Sequence, residues 1–175
     1  MANNSLITGP PACGKTTVIN KVYSLLKAES EIHIGDIYCP EIREDGKRQG
    51  FELIDFRSGR REVLAYKAMA FEKALGKYKV NTAGVDDFCK TIFIDEFQET
   101  DLFLVDEIAP IELFSKTFRE GIVKVLDSQT PLLAAIQKGG KKNFIRAVKN
   151  RPDVSLYTVT RGIAISCRPT FKKSC

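Results

Sequence analysis

Gly9-Pro10-Pro11-Ala12-Cys13-Gly14-Lys15-Thr16-Thr17 fits the pattern of a glycine, four free positions, then Gly-Lys-Ser/Thr. Its flanks give the pattern meaning. Ser5-Leu6-Ile7-Thr8 in front reads as a short buried strand. Val18, Ile19, Val22, Leu25 and Leu26 behind it recur at helical spacing through Lys27. Strand, glycine loop and helix is the order in which backbone N–H groups converge on phosphate oxygens. Gly9 and Gly14 permit torsions and close approaches that a side chain would block. Lys15 is placed to reach β- and γ-phosphates, and the Thr16 hydroxyl to ligate Mg²⁺. Thr17 adds a hydroxyl or amide near the α-phosphate. A glycine turn that matched by chance would not need a strand before it and a helix after it.

The chain of 175 residues suits one α/β domain with a sizeable core. No apolar run is long enough to cross a bilayer, and Met1-Ala2-Asn3-Asn4 lacks the features of a signal peptide. The first strand starts almost at the first residue, so nothing is expected to precede the domain. Cys13, Cys39, Cys89, Cys167 and Cys175 are scattered, none at zinc-knuckle spacing, and His33 has no obvious ligand partners. Reduced thiols in a cytoplasmic protein are the expectation. Cys13 differs in sitting inside the phosphate loop, where oxidation would block nucleotide binding. The net charge is +5, with clusters at Arg57-Arg60-Arg61, Lys138-Lys141-Lys142 and Lys172-Lys173. No aromatic residues interleave them, which favours solvated faces over a nucleic-acid groove.

After the first helix, Ile32 to Tyr38 reads as a strand. Asp45-Gly46 and Ser58-Gly59 are hairpin turn signals, and Gly50 to Phe56 and Arg61 to Leu64 have strand character between and after them. An antiparallel meander over residues 38–66, attached to the sheet edge, follows. It either covers that edge or supplies Glu41, Arg43 or Arg48 to a pocket. Tyr66 to Lys77 is expected to be a short helix or irregular, and Val85 to Glu99 a helix.

The second informative stretch is Leu102-Phe103-Leu104-Val105-Asp106-Glu107-Ile108-Ala109. Its apolar run predicts a buried parallel strand. Two carboxylates stand at the C-terminal end, the edge where open α/β sheets place ligands. Asp106 is spaced to hold Mg²⁺ beside Thr16. Glu107, one residue on, is the candidate general base toward water. A strand capped by two solvated acids is the plainer alternative, and the upstream phosphate loop argues against it. Beyond Pro110, a helix carries Leu113, Phe114, Phe118, Ile122, Val125 and Leu126. Pro131 to Ile136 and Val154 to Val159 are further strands, with a helix from Lys141 to Lys149 between them. Gln137 reads as a surface glutamine, with sensing of the γ-phosphate as the alternative. Ile163 to Cys167 is a candidate strand, and the remainder of 163–175 resembles a loose basic tail.

These stretches together resemble a known family: the small nucleoside-triphosphatases first described from thermophiles, which include the human cancer-related nucleoside-triphosphatase. The likeness rests on Ile7 to Thr17, Glu41 to Phe51, Val105 to Ile108 with Glu112 to Lys116 and Phe118-Arg119, and Arg151-Pro152 with Leu156-Tyr157 and Val159 to Arg161. It implies hydrolysis of ATP, GTP and other nucleoside triphosphates with Mg²⁺. It also implies an extra strand between the phosphate-loop strand and the acidic strand. The phosphate site would be Gly9 to Thr17 and the second pocket wall Leu102 to Ala109. Two departures stand out. Ala109 replaces a usual glycine, and Gly162-Ile163-Ala164 replaces an Asn-Arg-Asp-like segment and a helix.

The expected architecture is a three-layer α/β fold of the P-loop NTPase type, one domain over residues 1–175. Its central sheet is mainly parallel, with the antiparallel β-meander at the edge. The expected function is cleavage of the β–γ bond of nucleoside triphosphates. Lys15 and Glu107 would do the chemistry, and Thr16 and Asp106 would hold the metal. A monomer with no membrane or nucleic-acid partner is expected. A nucleotide or small-molecule kinase is the competing enzyme, and a slow nucleotide-dependent switch is the competing non-metabolic role. Arg119 and Arg161 are candidate arginine fingers.

Overall fold

A computed structural model describes residues 4–29, 31–139, 143–160 and 164–168. The phosphate-loop unit forms as its spacing requires. Strand β1 (Asn4–Thr8) enters the loop, and helix α1 (Lys15–Glu29) leaves it. The chain continues through β2 (Ile34–Tyr38), β3 (Glu41–Glu44), β4 (Lys47–Ile54) and β5 (Arg61–Tyr66). Then come β6 (Lys73–Leu75), β7 (Tyr78–Val80) and α2 (Thr82–Lys90). The acidic strand is β8 (Leu102–Ile108), followed by α3 (Lys116–Leu126), β9 (Leu132–Ile136) and α4 (Asn143–Lys149). β10 (Val154–Thr160) and β11 (Ala164–Arg168) end the described chain.

The strands form one sheet in the order β11-β10-β1-β9-β8-β2-β4-β5-β7-β6, with β3 paired on β4. The five strands from β10 to β2 run parallel, and everything outside them is antiparallel. β9 lies between the phosphate-loop strand β1 and the acidic strand β8, as the resemblance implied. Alternation along the strands sends adjacent side chains to opposite faces. Ile7, Leu104 and Ala135 join Ile19 of α1 in one apolar cluster. Leu6, Val105 and Ala134 join Phe88, Phe118, Ile122 and Ile145 of the other three helices in the second. The three layers are thus α1, the sheet, and α2, α3 and α4.

Two sequence expectations change. Residues 66–77 hold no helix. Lys73–Leu75 instead forms a hairpin with β7, closed at Leu75↔Tyr78 by a turn through Gly76 at φ +58°. A strand this short and exposed leaves no period in the sequence, and the antiparallel region therefore extends past residue 66 to Val80. The helix expected over Val85 to Glu99 stops at Lys90. A π-turn covers Thr91–Asp95, where the Glu96 N–H donates to the Thr91 carbonyl at 3.0 Å. That widening keeps Ile92 and Phe93 fully buried, so core packing overrides helical spacing here. The helix expected from Lys141 is described from Asn143. Lys141, Lys142, Arg161, Gly162, Ile163, and the end of the tail from 169, including Lys172 and Lys173, lie outside the described residues.

β2 also carries a buried acid. Asp36, 2% exposed, accepts the Phe56 N–H at 2.8 and 3.0 Å and lies beside Asp55. Burial, together with the neighbouring Asp55 charge and against the Phe56 hydrogen bond, raises its pKa to about 7. An acid whose native pKa is raised binds its proton more tightly folded than unfolded. This contribution is fully present below the unfolded value near 4 and is lost as pH rises toward 7. Asp36→Asn keeps the Phe56 contact without the titration. The variant is expected to gain on the parent by on the order of 1–3 kcal/mol at pH 8, with the gap closing by pH 4, in urea unfolding series.

Candidate active site

A cleft of about 560 Å³ opens at the C-terminal ends of the parallel strands. Gly9, Pro11, Lys15 and Thr16 of the phosphate loop line it, with Asp106, Glu107 and Ala109 opposite and Gln137, Lys138 and Gly139 after β9. Within the loop, Gly14 takes φ +102°, and a Cβ on Gly9 would lie 2.4 Å from the Val159 carbonyl oxygen. Both glycines are therefore required by geometry. The Cys13 N–H donates to the Pro10 carbonyl at 3.3 Å, and the Val18 N–H to Gly14 at 3.0 Å, which starts α1. Pro10, Ala12, Cys13, Gly14 and Thr17 shape the loop without lining the cleft.

The acidic strand divides the same way. Leu102 packs on the α1 side of the sheet, Leu104 is buried there, and Phe103, Val105 and Ile108 are buried on the other. These five form core rather than pocket wall. In a regular strand Asp106 and Glu107 would point to opposite faces. Here the β8–β9 register shifts between Val105 and Ile108, and both carboxylates face the cleft. Glu107 Oε1 lies 3.7 Å from Lys15 Nζ. Asp106, 4% exposed, hydrogen-bonds Thr16. Burial, aided by the Glu107 charge and opposed by Thr16 and Lys15, lifts the Asp106 pKa to about 6. Burial also raises Glu107, opposed by Lys15.

Three further groups complete the site. Glu112, 2% exposed, accepts the Ala109 N–H at 3.1 Å and faces Cys39 Sγ at 3.4 Å. Burial pushes its pKa to about 8. Lys149 donates to the carbonyls of Gln137 and Lys138, and its burial beside Lys15 lowers its pKa against the pull of Glu107. Gln137 is half-buried in the cleft, not on the surface, and its Oε1 has no hydrogen-bond partner. Glu112 was visible in the sequence only as part of a motif; Lys149 left no signal.

Other candidates fall elsewhere. Arg43 and Arg48 both pair with Glu41, and none of the three lines the cleft. Arg119 donates to the Leu113 carbonyl. Cys13, Cys39 and Cys89 are free thiols. Among the described residues, no group of three or more His, Cys, Asp or Glu is arranged to hold a metal, and no helix is long and apolar enough to cross a membrane. The Thr16 hydroxyl and the Asp106 carboxylate are hard oxygen donors in contact. Such a pair fits a magnesium ion that takes its remaining ligands from phosphate and water.

Loop, sheet order and carboxylate pair define a P-loop nucleoside-triphosphatase fold. Two solved structures share it. The structure of THEP1 from Aquifex aeolicus superposes with a TM-score of 0.78 at 25% identity, covering 90% of each chain. The solution structure of a human cancer-related nucleoside triphosphatase gives 0.75 at 26% identity, over 91% of this chain and 90% of that one. Residues 4–163 match the model of a family described as NTPase. The nucleoside-triphosphatase THEP1 of a Thermotoga strain is 39% identical over 87% of this chain and 83% of its own. That of Thermofilum pendens is 35% identical over 91% and 87%. The chain belongs to this NTPase family.

Glu112 anchors the turn that follows Glu107, and at pH 7 it is mostly neutral. Glu112→Gln keeps an oxygen for the Ala109 N–H and should unfold within about 1 kcal/mol of the parent. Glu112→Ala strands that N–H beside a cavity and should cost roughly 2–4 kcal/mol in denaturant unfolding. Equal losses for both would show that the carboxylate charge matters, not the hydrogen bond.

Proposed function

We propose that this protein hydrolyses nucleoside triphosphates at the β–γ bond, with Mg²⁺, to the diphosphate and inorganic phosphate. The observation that carries the proposal is the contact between Lys15 and Glu107 across the mouth of the phosphate loop, beside Thr16 and Asp106. The loop amides and Lys15 hold the β- and γ-phosphates and stabilise charge that develops on the γ-phosphoryl oxygens. Lys15 must then share itself between Glu107 and phosphate. A bound γ-phosphate draws the ammonium away, which leaves a half-buried carboxylate more basic than usual. Glu107 takes the proton of a water as its oxygen attacks phosphorus, and the bridging oxygen leaves with the diphosphate. Thr16 and Asp106 would hold the magnesium ion, which neutralises phosphate charge when bound. Gln137 lines the same cleft, with its Oε1 buried and without a hydrogen-bond partner.

The names of the relatives, nucleoside-triphosphatases, support hydrolysis of nucleoside triphosphates and name no base. The proposed setting is the cytoplasm, with the protein working as a monomer on nucleotide rather than on a membrane or nucleic acid. Its basic residues support this. Arg57 pairs with Glu96, Arg60 with Asp87 and Arg61 with Glu52, so that cluster is largely neutralised within the molecule.

Glu107→Gln should separate binding from chemistry. Turnover is expected to fall ~10²–10⁴-fold, about 3–5 kcal/mol of barrier, with ATP affinity nearly unchanged. Lys15→Ala should weaken ATP binding in titration calorimetry while the domain stays folded. Asp106→Asn should remove the Mg²⁺ dependence of both. Single-turnover hydrolysis beside equilibrium binding decides the matter, and a Glu107→Gln enzyme within a few-fold of the parent would remove Glu107 as the base.

A further inference from the structure

The cleft does not end at the carboxylates. Strand β8 separates the loop half of the sheet from the meander half, and the cleft continues across it. Beyond Glu107 it is walled by Phe51 of β4, Leu75 and Tyr78 of the β6–β7 hairpin, Pro110 and Ile111, with Glu112 at its floor. This half lies past the γ-phosphate end of the loop. Thr17, at the α-phosphate end, lines a separate depression with Asn20, Lys21, Ser24 and Leu25. A triphosphate laid on the loop with its γ end at Glu107 therefore carries its base away from the aromatic wall and leaves this half free.

That wall is built. Phe51 and Tyr78 meet edge to face, with centroids 5.3 Å apart at 66°. The Arg48 guanidinium sits 5.1 Å from the Phe51 centroid and donates to the Tyr78 hydroxyl at 2.9 Å, and Glu41 holds it at 2.7 Å. Arg48 and Glu41 thus fix two rings in place. Attack by water needs no aromatic platform, whereas a planar ring stacks on one. Among the described residues lining this half there is no Lys or Arg; the cations nearest it, Arg48 and Lys77, lie against the rings themselves, Arg48 tied to Glu41.

We propose that the half of the cleft beyond Glu107 binds a phosphoryl acceptor, a nucleoside or a similar molecule with a planar ring and a primary hydroxyl, and that the protein transfers the γ-phosphoryl group to it. The inference rests on Glu107 as the base. The hydroxyl gives its proton to Glu107, and its oxygen forms the new bond to phosphorus. The bond from phosphorus to the β–γ bridging oxygen breaks, and its electron pair stays on the diphosphate. The products are a nucleoside diphosphate and a phosphomonoester. Water entering the same place gives hydrolysis.

The test supplies ATP labelled on the γ-phosphate, Mg²⁺ and, one at a time, adenosine, guanosine, cytidine, uridine and thymidine, and separates the products chromatographically. Labelled nucleoside monophosphate is expected with at least one of them. Phe51→Leu keeps apolar bulk but removes the ring, and should cut transfer about tenfold or more. Phosphate release into water should stay within about twofold of the parent, since Phe51 does not touch the loop or the carboxylates. Phosphate as the sole product with all five nucleosides overturns the proposal and leaves hydrolysis standing. Transfer that survives Phe51→Leu unchanged overturns the assignment to this half. Loss of both products in the parent protein would sink the hydrolytic mechanism as well.

Discussion

Carboxylates crowded around one lysine at the end of β8 set the terms for the rest of the molecule. Asp106 and Glu112 are almost completely buried, and Glu107 stands between them in sequence and beside Lys15 in space. Removing a carboxylate from water is costly, and each group answers differently. Glu112 stays largely protonated and serves as a structural acceptor. Asp106 is moved partway, to about 6, and is held ionised by any cation placed beside Thr16. Glu107 keeps the Lys15 contact. One acid is therefore largely neutral, one is tied to Thr16 and one to Lys15. The three roles follow from three degrees of burial and pairing within a few residues of chain.

The sheet makes this possible by joining two kinds of pairing. Parallel strands β1, β9 and β8 end at one edge, which brings the phosphate loop against the carboxylates from residues nearly a hundred positions apart. The register shift at the end of β8 then turns both acids to the same side. Beyond β2 the pairing becomes antiparallel, and hairpins bring Phe51 and Tyr78 back over the cleft. The parallel half carries the glycine loop and the carboxylates, and the antiparallel half carries the aromatic wall of the cleft.

Polar residues of the meander act at one remove from the cleft. Glu41 and Arg48 hold each other, and Arg48 holds Tyr78. An exposed ion pair alone contributes little to stability. A planar guanidinium spread over two rings fixes their orientation, which a flexible ammonium would do poorly.

The sequence by itself determined the phosphate loop, its strand and helix, and the buried acidic strand. Each depends on local spacing: glycines at two fixed positions, an apolar run, a helical period. It also placed Lys15, Thr16, Asp106 and Glu107 in one candidate site, because a loop and a strand end of these types meet in any sheet of this order. Only the tertiary structure decided that Leu102 to Val105 and Ile108 are core, that Gln137 turns inward, and that Lys149 holds the Gln137 and Lys138 carbonyls. It also decided that the helix after Val85 widens at Thr91 and that residues 73–80 pair as a hairpin. Those outcomes rest on contacts between segments far apart in the chain. Burial, register and the pKa of Glu112 are properties of such contacts, and no local period encodes them.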